Sequence, residues 1–317
     1  MSEKYESSQV DILLSTYNGS KYLNELLSSI INQTYKEWRL IIRDDGSTDD
    51  TMNLIRNYSE KHPKKISIIY DHRNLGPSLS FSELLKYCDA NYIMFCDQDD
   101  VWLNNKIELT IEKMHLLERE FPSKPLLLHT DLLVVDEHLQ LISKSFWHYQ
   151  NLNSTNKNLN HLLVQNIVTG CTMMINKRLK ELACPIPNHA IMHDWWIGLV
   201  ASLYSGIHHM NVPLILYRQH SENNTGAKKY SLKYLASKYG KVNESIKRIF
   251  NQGASFKIRF NSQLNIDQAR MLDCFIDLVN KNRIYRLISI FKYRFCMSGV
   301  LRNIGFIATI FFWRKKR

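Results

Sequence analysis

The sequence predicts an α/β fold in which a mostly parallel sheet carries helices on both faces and is followed by a helical, basic extension. Three observations lead there. Through residue 100, short apolar runs of strand length alternate with stretches whose apolar residues recur at helical spacing. Such a β-α-β-α-β-α-β succession implies parallel strands joined by right-handed crossovers. The charge then divides the chain: residues 1–227 hold 21 Lys and Arg against 26 Asp and Glu, whereas residues 228–317 hold 20 against 4. Beyond Gly226, finally, the strand alternation stops and only helix-like segments follow.

Each element follows from its residues. Val10 to Ser15 is a short apolar strand, and Tyr22 to Asn32 repeats apolar positions at Leu23, Leu26, Leu27, Ile30 and Ile31, the spacing of one helix face. Trp38 to Ile42 is the second strand, and Thr48 to Tyr58 a helix for which Ser47 or Thr48 serves as cap. Ile66 to Tyr70 is the third strand. A helix from Ser78 to Tyr87 leads into the strand Tyr92 to Cys96, and another helix starts at Leu103. Farther on, Leu126 to His129, Leu132 to Val135 and Leu139 to Ile142 read as strands, the last two flanking a turn at Asp136-Glu137-His138. Cys171 to Ile175 is another strand, and Met192 to Tyr204 an apolar helix whose first turn holds His193 and Asp194.

Several classes are excluded by bulk properties. With 44% hydrophobic and 22% charged residues the chain is neither disordered nor collagenous. Its 317 residues suit one large domain or a catalytic domain with an appendage, because a single core stops growing near ~250 to 300 residues. The cysteines Cys88, Cys96, Cys171, Cys184, Cys274 and Cys296 show no CxxC spacing and read as reduced core residues, with neither a zinc site nor a disulfide framework. No strand is followed by GxGxxG or by the P-loop pattern, so those two nucleotide-binding devices are absent. The polar amino terminus MSEKYESSQV lacks the apolar core of a secretory signal, and a cytoplasmic location is expected.

The strand ends carry polar and acidic residues instead. Ser15-Thr16-Tyr17-Asn18-Gly19 follows the first strand, Asp44-Asp45-Gly46-Ser47 the second, Arg73-Asn74-Leu75-Gly76 the third and Asp97-Gln98-Asp99-Asp100 the fourth. The carboxyl ends of neighbouring parallel strands share one rim, where open α/β sheets bind ligands, so these loops converge on a pocket. There Asp45 can accept from the N–H edge of a pyrimidine, Tyr17 can stack on a base and Asn74 can offer an amide. Each segment alone also reads as a turn. The close carboxylates of Asp97 to Asp100 repel unless a hard cation or a ligand compensates them, although an acidic turn capping the next helix has the same composition. Acids in two of four adjacent loops exceed what turn chemistry requires.

Taken in order and at their spacing, these segments resemble the family 2 glycosyltransferases of the GT-A fold. The likeness continues through His129-Thr130-Asp131-Leu132, Val168-Thr169-Gly170-Cys171-Thr172-Met173-Met174, His193-Asp194-Trp195-Trp196 and Tyr217-Arg218-Gln219-His220. It covers about residues 9 to 226 and is greatest toward bacterial rhamnosyltransferases of cell-wall and capsular polysaccharide synthesis, in particular the streptococcal rhamnan type. The resemblance implies a Rossmann-like nucleotide-sugar domain over residues 1–227 and a helical, basic, aromatic-rich, membrane-associating extension over residues 228–317. It implies Asp194 as the general base of an inverting transfer, and Thr16, Tyr17, Asn18, Asp45, Asn74, Asp97 and Gln98 as the nucleotide-sugar contacts. Mg²⁺ or Mn²⁺ is the implied cofactor, held by Asp99 with His220 joining, and Asp97 near the ribose or the metal's waters. Imidazole is an unusual Mg²⁺ ligand, so His220 also reads as a surface or supporting residue. Two indoles on an apolar helix, Trp195 and Trp196, read either as core or as a platform for a sugar ring. Arg73 reads either as a diphosphate contact or as a solvated surface residue.

The implied donor is dTDP-rhamnose or a UDP-hexose, and the implied acceptor an undecaprenyl-diphosphate-linked glycan, with room for a homodimer. The basic tail fits an acceptor at an anionic inner leaflet, where each nearby Lys or Arg adds roughly 1 kcal/mol. From Ile304 to Trp313 the sequence is apolar against a basic terminus, about half the ~20 residues that a spanning helix needs. An interfacial, peripheral anchor is expected, unless these helices simply pack on the main domain. A nucleic-acid-binding role is the alternative from a different class, disfavoured because no recognised binding motif accompanies the charge and the acidic rim would repel phosphate without a metal. A sugar-binding relative without catalysis is disfavoured by the presence of Asp97, Asp99 and Asp194.

Overall fold

Strand β1 (Val10–Thr16) shows why the sheet is buried on both faces. Val10, Ile12 and Leu14 enter one apolar cluster and Leu13 the other, all without exposed surface. A strand with apolar side chains on both sides has no solvent face, as in parallel sheets covered by helices. The computed structural model describes residues 9–71, 73–220 and 242–313. After β1 come α1 (Ser20–Ile31), β2 (Trp38–Asp44), α2 (Thr51–Lys61), β3 (Ile66–Ile69), α3 (Pro77–Leu84) and β4 (Tyr92–Cys96). These strands lie in the order β3-β2-β1-β4 and are all parallel, so their four carboxyl ends do share a rim.

The rest of the sheet is mixed. It contains β5 (Val101–Trp102), α4 (Lys106–Glu120), β6 (Leu127–Val135), β7 (Leu141–Ser143), α5 (Phe146–Tyr149), α6 (Leu159–Leu162), β8 (Met173–Asn176), α7 (Lys177–Ala183), α8 (His193–Leu203) and β9 (Ile207–Arg218). Strand β8 joins β4 antiparallel, and β6, β9 and β5 continue the sheet.

Several boundaries differ from the sequence expectation for identifiable reasons. The expected strands at 126–129 and 132–135 are one strand, β6, whose register with β9 shifts around Thr130 and Asp131. Strand β7 begins at Leu141 rather than Leu139, because Leu139 takes the left-handed φ of 62° inside the turn. Helix α4 starts at Lys106, since Val101 and Trp102 pair with β9 first. Helix α2 starts at Thr51, and neither Ser47 nor Thr48 caps it. Ser47 Oγ instead donates to Asp44 and accepts from Asn18 N, and Thr48 N donates to Asn18 Oδ1.

The basic segment contributes α9 (Val242–Phe260), α10 (Ile266–Asp277), α11 (Arg283–Tyr293) and α12 (Val300–Phe311). Apolar side chains from this segment, including Phe250, Phe256, Phe275, Phe306 and Ile310 of the helices and Phe295 between two of them, join the same cluster as Leu13, Ile41 and Phe95 of the sheet. Trp196 is fully buried there against Phe256 and Phe260, at 5.8 and 6.2 Å between ring centroids, which settles it as core. The helices therefore pack on the main body. The boundary expected at residues 227 and 228, and the basic terminus 314–317, lie outside the described residues.

Candidate active site

Register decides which residues meet at the rim. The β1–β2 pairing sets Thr16 beside Asp44, and Thr16 Oγ1 donates to Asp44 Oδ1 at 2.8 Å. Asp44 Oδ2 also accepts from Gly46 N and Ser47 N, closing its own loop. Asp45 ties the second loop to the third: it accepts from Leu75 N and Gly76 N, each at 2.8 Å, and from Arg43 Nη1 at 2.6 Å. Gly76 reaches this geometry with a φ of 74°, a region that suits glycine. Asn18, itself at φ 47°, spends its Oδ1 on Thr48 N. Gln98 makes a reciprocal pair with Tyr17, accepting from its N at 2.8 Å and donating to its carbonyl at 2.9 Å. Four of the expected nucleotide contacts, Thr16, Asn18, Asp45 and Gln98, thus have side chains engaged in holding the rim together. Tyr17, half exposed, and Asn74, exposed, present free surface. Arg73, with its side chain 63% exposed, pairs with Asp71 at 2.6 Å rather than facing the rim acids.

Arg43, which the motif contained but whose role sequence reasoning missed, is the hub of this rim. It is fully buried and donates to Asp45, to Ser80 Oγ at 2.8 Å and to the Arg73 carbonyl at 2.6 Å, with Asp71 at 3.4 Å. Removing one partner of a buried pair leaves the other charge uncompensated, so Arg43→Met is expected to cost about 3 to 5 kcal/mol in urea unfolding. A loss under about 1 kcal/mol would deny it that role.

The acid turn after β4 is held by the end of β9. Arg218, buried, donates from N to Asp100 Oδ1, from Nε to the Asp99 carbonyl at 2.9 Å and from Nη1 to the Glu137 carbonyl, and it pairs with Glu25. Strand β8 pairs antiparallel with β4, and the 3-10 turn Gly170–Thr172 that leads into β8 brings Cys171 to the acid turn. Asp97, Asp100 and Cys171 accordingly place ligand atoms within 4.8 Å of one another. Asp100 Oδ2 is buried and meets no nitrogen or oxygen partner among the described residues, with the Cys171 thiol beside it. The expected metal ligands Asp99 and His220, 121 residues apart, meet directly: His220 Nε2 is 2.8 Å from Asp99 Oδ2.

This donor set fits a hard divalent ion through its carboxylates. Burial and then the Asp99 and Asp97 charges raise the Asp100 pKa well above the usual carboxylate range, and a cation is what would relieve such crowding. Cys171 is a poorer candidate, because burial pushes its thiol pKa well up and keeps the sulfur protonated. Beneath the turn lies Lys106, fully buried, which donates to the Cys171 carbonyl at 2.9 Å and sits 3.3 Å from the Trp102 ring centroid. Burial pushes its pKa down to about 7.

Asp194 occupies the first turn of α8, where the helix dipole favours a carboxylate. Its Oδ1 accepts from Trp195 N at 2.6 Å and its Oδ2 from Gly170 N at 3.1 Å. Burial nevertheless raises its pKa to about 6, with those hydrogen bonds and one from Asn166 opposing. Asp97 keeps some surface open to the cleft, yet burial, then the Asp99 and Asp194 charges, push its pKa up to about 7. Gly170 and Cys171 are consecutive, so one short turn touches the base candidate and the acid turn alike. His193 is no acid or base: it lies between Phe81 and Phe95, 4.0 and 5.3 Å from their centroids, and burial holds its pKa near 3.

Helix α6 links this site to the tail. Trp195 Nε1 donates to the Leu162 carbonyl at 2.6 Å, and Asn160 Nδ2 donates to the carbonyls of Tyr293 and Arg294 at 3.1 and 3.0 Å.

The sequence profile of glycosyl transferase family 2 matches residues 11–182, more than half of the chain. The chain belongs to that family. As a family 2 member it is similar to the UDP-Glc:alpha-D-GlcNAc-diphosphoundecaprenol beta-1,3-glucosyltransferase WfgD of Escherichia coli, 31% identical over 33% of this chain and 40% of WfgD. It is also similar to the dTDP-rhamnosyl transferase RfbG of Shigella flexneri, 27% identical over 68% of this chain and 74% of RfbG. The match spans about two fifths of the length of the putative teichuronic acid biosynthesis glycosyltransferase TuaG of Bacillus subtilis, as of WfgD. Among solved structures, S. aureus TarS 1-349 in complex with UDP-GlcNAc aligns with a TM-score of 0.55 at 17% identity, over 90% of this chain and 73% of that one. The mannosyltransferase PcManGT of Pyrobaculum calidifontis, in complex with GDP-Man and Mn2+, gives a TM-score of 0.55 at 14% identity, over 96% and 80%. These structures share the GT-A fold of this family 2 chain.

Proposed function

We propose that this protein is an inverting, metal-dependent glycosyltransferase of bacterial cell-wall or capsular polysaccharide synthesis. It moves L-rhamnose from dTDP-rhamnose onto an undecaprenyl-diphosphate-linked glycan at the cytoplasmic face of the plasma membrane. The observation that carries the reading is the single turn, Gly170-Cys171, that joins the Asp194 carboxylate to the acid turn Asp97 to Asp100. Acceptor activation and leaving-group stabilisation need to be adjacent, and this turn makes them so.

The donor's base stacks on Tyr17 and meets Asn74, with Thr16, Asn18, Asp45 and Gln98 holding that wall in shape. Asp99, with Asp97 and His220 beside it, would hold a divalent ion, which when bound would supply the positive charge that a departing diphosphate needs. Asp194 takes the proton from the acceptor hydroxyl as its oxygen bonds to the anomeric carbon. The carbon–oxygen bond to the diphosphate breaks on the opposite side, so the configuration inverts and the nucleoside diphosphate leaves.

Rhamnose is favoured by RfbG, whose likeness extends over more than twice as much of this chain as that of WfgD. A UDP-hexose donor is the second reading, supported by the higher local identity to WfgD. Incubation of the purified protein with dTDP-, UDP- and GDP-sugars and Mn²⁺ or Mg²⁺ separates them. Preferential turnover of dTDP-rhamnose, lost on chelation, is the expected result. Turnover of UDP-hexoses alone moves the donor to the second reading, and turnover of none overturns the assignment.

A further inference from the structure

The outer side of the last two helices is apolar where a soluble surface is ordinarily mixed. On α11, Ile284, Ile288 and Phe291 recur at helical spacing and are 72%, 59% and 67% exposed, while Arg286, Ser289 and Ile290 face inward and are buried. On α12, Val300 and Ile304 are exposed, whereas Arg302, Phe306 and Ile310 are buried. These are anchored helices rather than loose ends. Arg286 Nη1 donates to the carbonyls of Ile310 and Trp313, tying the start of α11 to the end of α12. Arg302 donates to the carbonyls of Asn151 and Gln150, tying α12 to the body.

The charge carried by these two helices has one sign, and the nearest exposed acids in sequence, Asp277 and Asp273 of α10, are paired with Lys281 and Lys257. Arg283, Lys292 and Arg294 are exposed on or beside α11, and neither α11 nor α12 contains an acid. An anchored apolar face with a basic surround is the pattern of a helix lying in a membrane interface. The helices have 11 and 12 residues, and no helix among the described residues is long and apolar enough to cross a membrane.

We propose that the outer side of α11 and α12 docks on an anionic lipid bilayer, with Ile284, Ile288, Phe291, Val300 and Ile304 in the headgroup–acyl boundary and the basic side chains in the phosphate layer. This rests on the reading of the acceptor as lipid-linked. A second copy of the chain is the rival occupant, and charge disfavours it. A two-fold contact would set each basic surround against itself, and like charges facing across an interface oppose association. Anionic lipid satisfies the apolar and the cationic groups together.

The test is sedimentation of the full chain with phosphatidylcholine vesicles, with and without phosphatidylglycerol, at low and high salt. Binding that needs phosphatidylglycerol and weakens with salt is expected. Ile288→Glu combined with Phe291→Glu should lower partitioning at least about tenfold. Leu116→Glu, at an exposed position of α4, should leave it unchanged. Both changes fall on exposed side chains, and a thermal midpoint equal to wild type verifies the fold. Wild-type protein that ignores phosphatidylglycerol, or a double variant that binds as tightly as wild type, overturns the proposal. So does light scattering that shows a dimer broken by the double variant with vesicle binding intact. Donor hydrolysis in the same samples reads the transferase assignment separately: lost vesicle binding with intact hydrolysis bears on the bilayer face alone.

Discussion

Asp194→Asn is expected to lower sugar transfer by a factor of about 10² to 10⁴, the usual contribution of a positioned general base. Asparagine keeps the volume and one acceptor oxygen, so it retains one of the two amide contacts, from Gly170 or Trp195, and donor binding and the fold should survive loss of the other. The pH profile carries the sharper signature. A base with a pKa of about 6 works only as carboxylate, so wild-type transfer should fall as pH drops through about 6. The residual activity of the variant should lack that limb. Transfer by Asp194→Asn within a few-fold of wild type, measured with saturating donor, would falsify the assignment.

The second large effect is on stability and has the opposite sign. Asp97→Asn is expected to abolish metal-stimulated turnover while raising the thermal midpoint in EDTA at pH 8 by about 2 to 5 °C. The reason is linkage. The folded-state pKa of Asp97, about 7, lies above the unfolded value, so the fold favours the protonated form. That favourable contribution is complete below the unfolded pKa near ~4 and is lost as pH rises through about 7. At pH 8 the ionised carboxylate is a burden that asparagine removes, and the difference should shrink as pH falls toward 4. Saturating Mn²⁺ should reverse the order, because the cation offsets the Asp97 charge in wild type and binds more weakly to the variant, which keeps Asp99 but has lost that carboxylate. A variant less stable than wild type in EDTA at pH 8 would refute this account.

Much of the first half was legible because its signals are local. Apolar runs of fixed length closed by polar loops mark β1 to β4, and their adjacency on one rim follows from the β-α alternation. Strand β9 was not singled out, since His208, His209, Asn211 and Pro213 interrupt its apolar pattern. Pairing with β6 and β5 makes it a strand regardless of propensity. At the site, the residue types at the rim were readable but their employment was not. Thr16, Asn18, Asp45 and Gln98 look like ligand groups in sequence, and their hydrogen bonds to neighbouring loops appear only once the loops are in place. Cys171 reaches Asp97 only because β8 pairs with β4 and carries the preceding 3-10 turn, more than 70 residues away in sequence, to the acid turn. Arg43 and Arg218 have the composition of surface residues, and only burial reveals them as the fasteners of the two acid loops.

The short helix α6 bolts the indole next to Asp194 to the end of α11. With α11 resting on lipid, the carboxylate has a fixed stand-off from the bilayer rather than a swinging reach. A machine with a fixed stand-off measures its workpiece: under the proposed function, a lipid-linked glycan would have to bring its terminal hydroxyl to that height. The number of sugars already on the carrier would then be part of what such an enzyme recognises, without any side chain touching them.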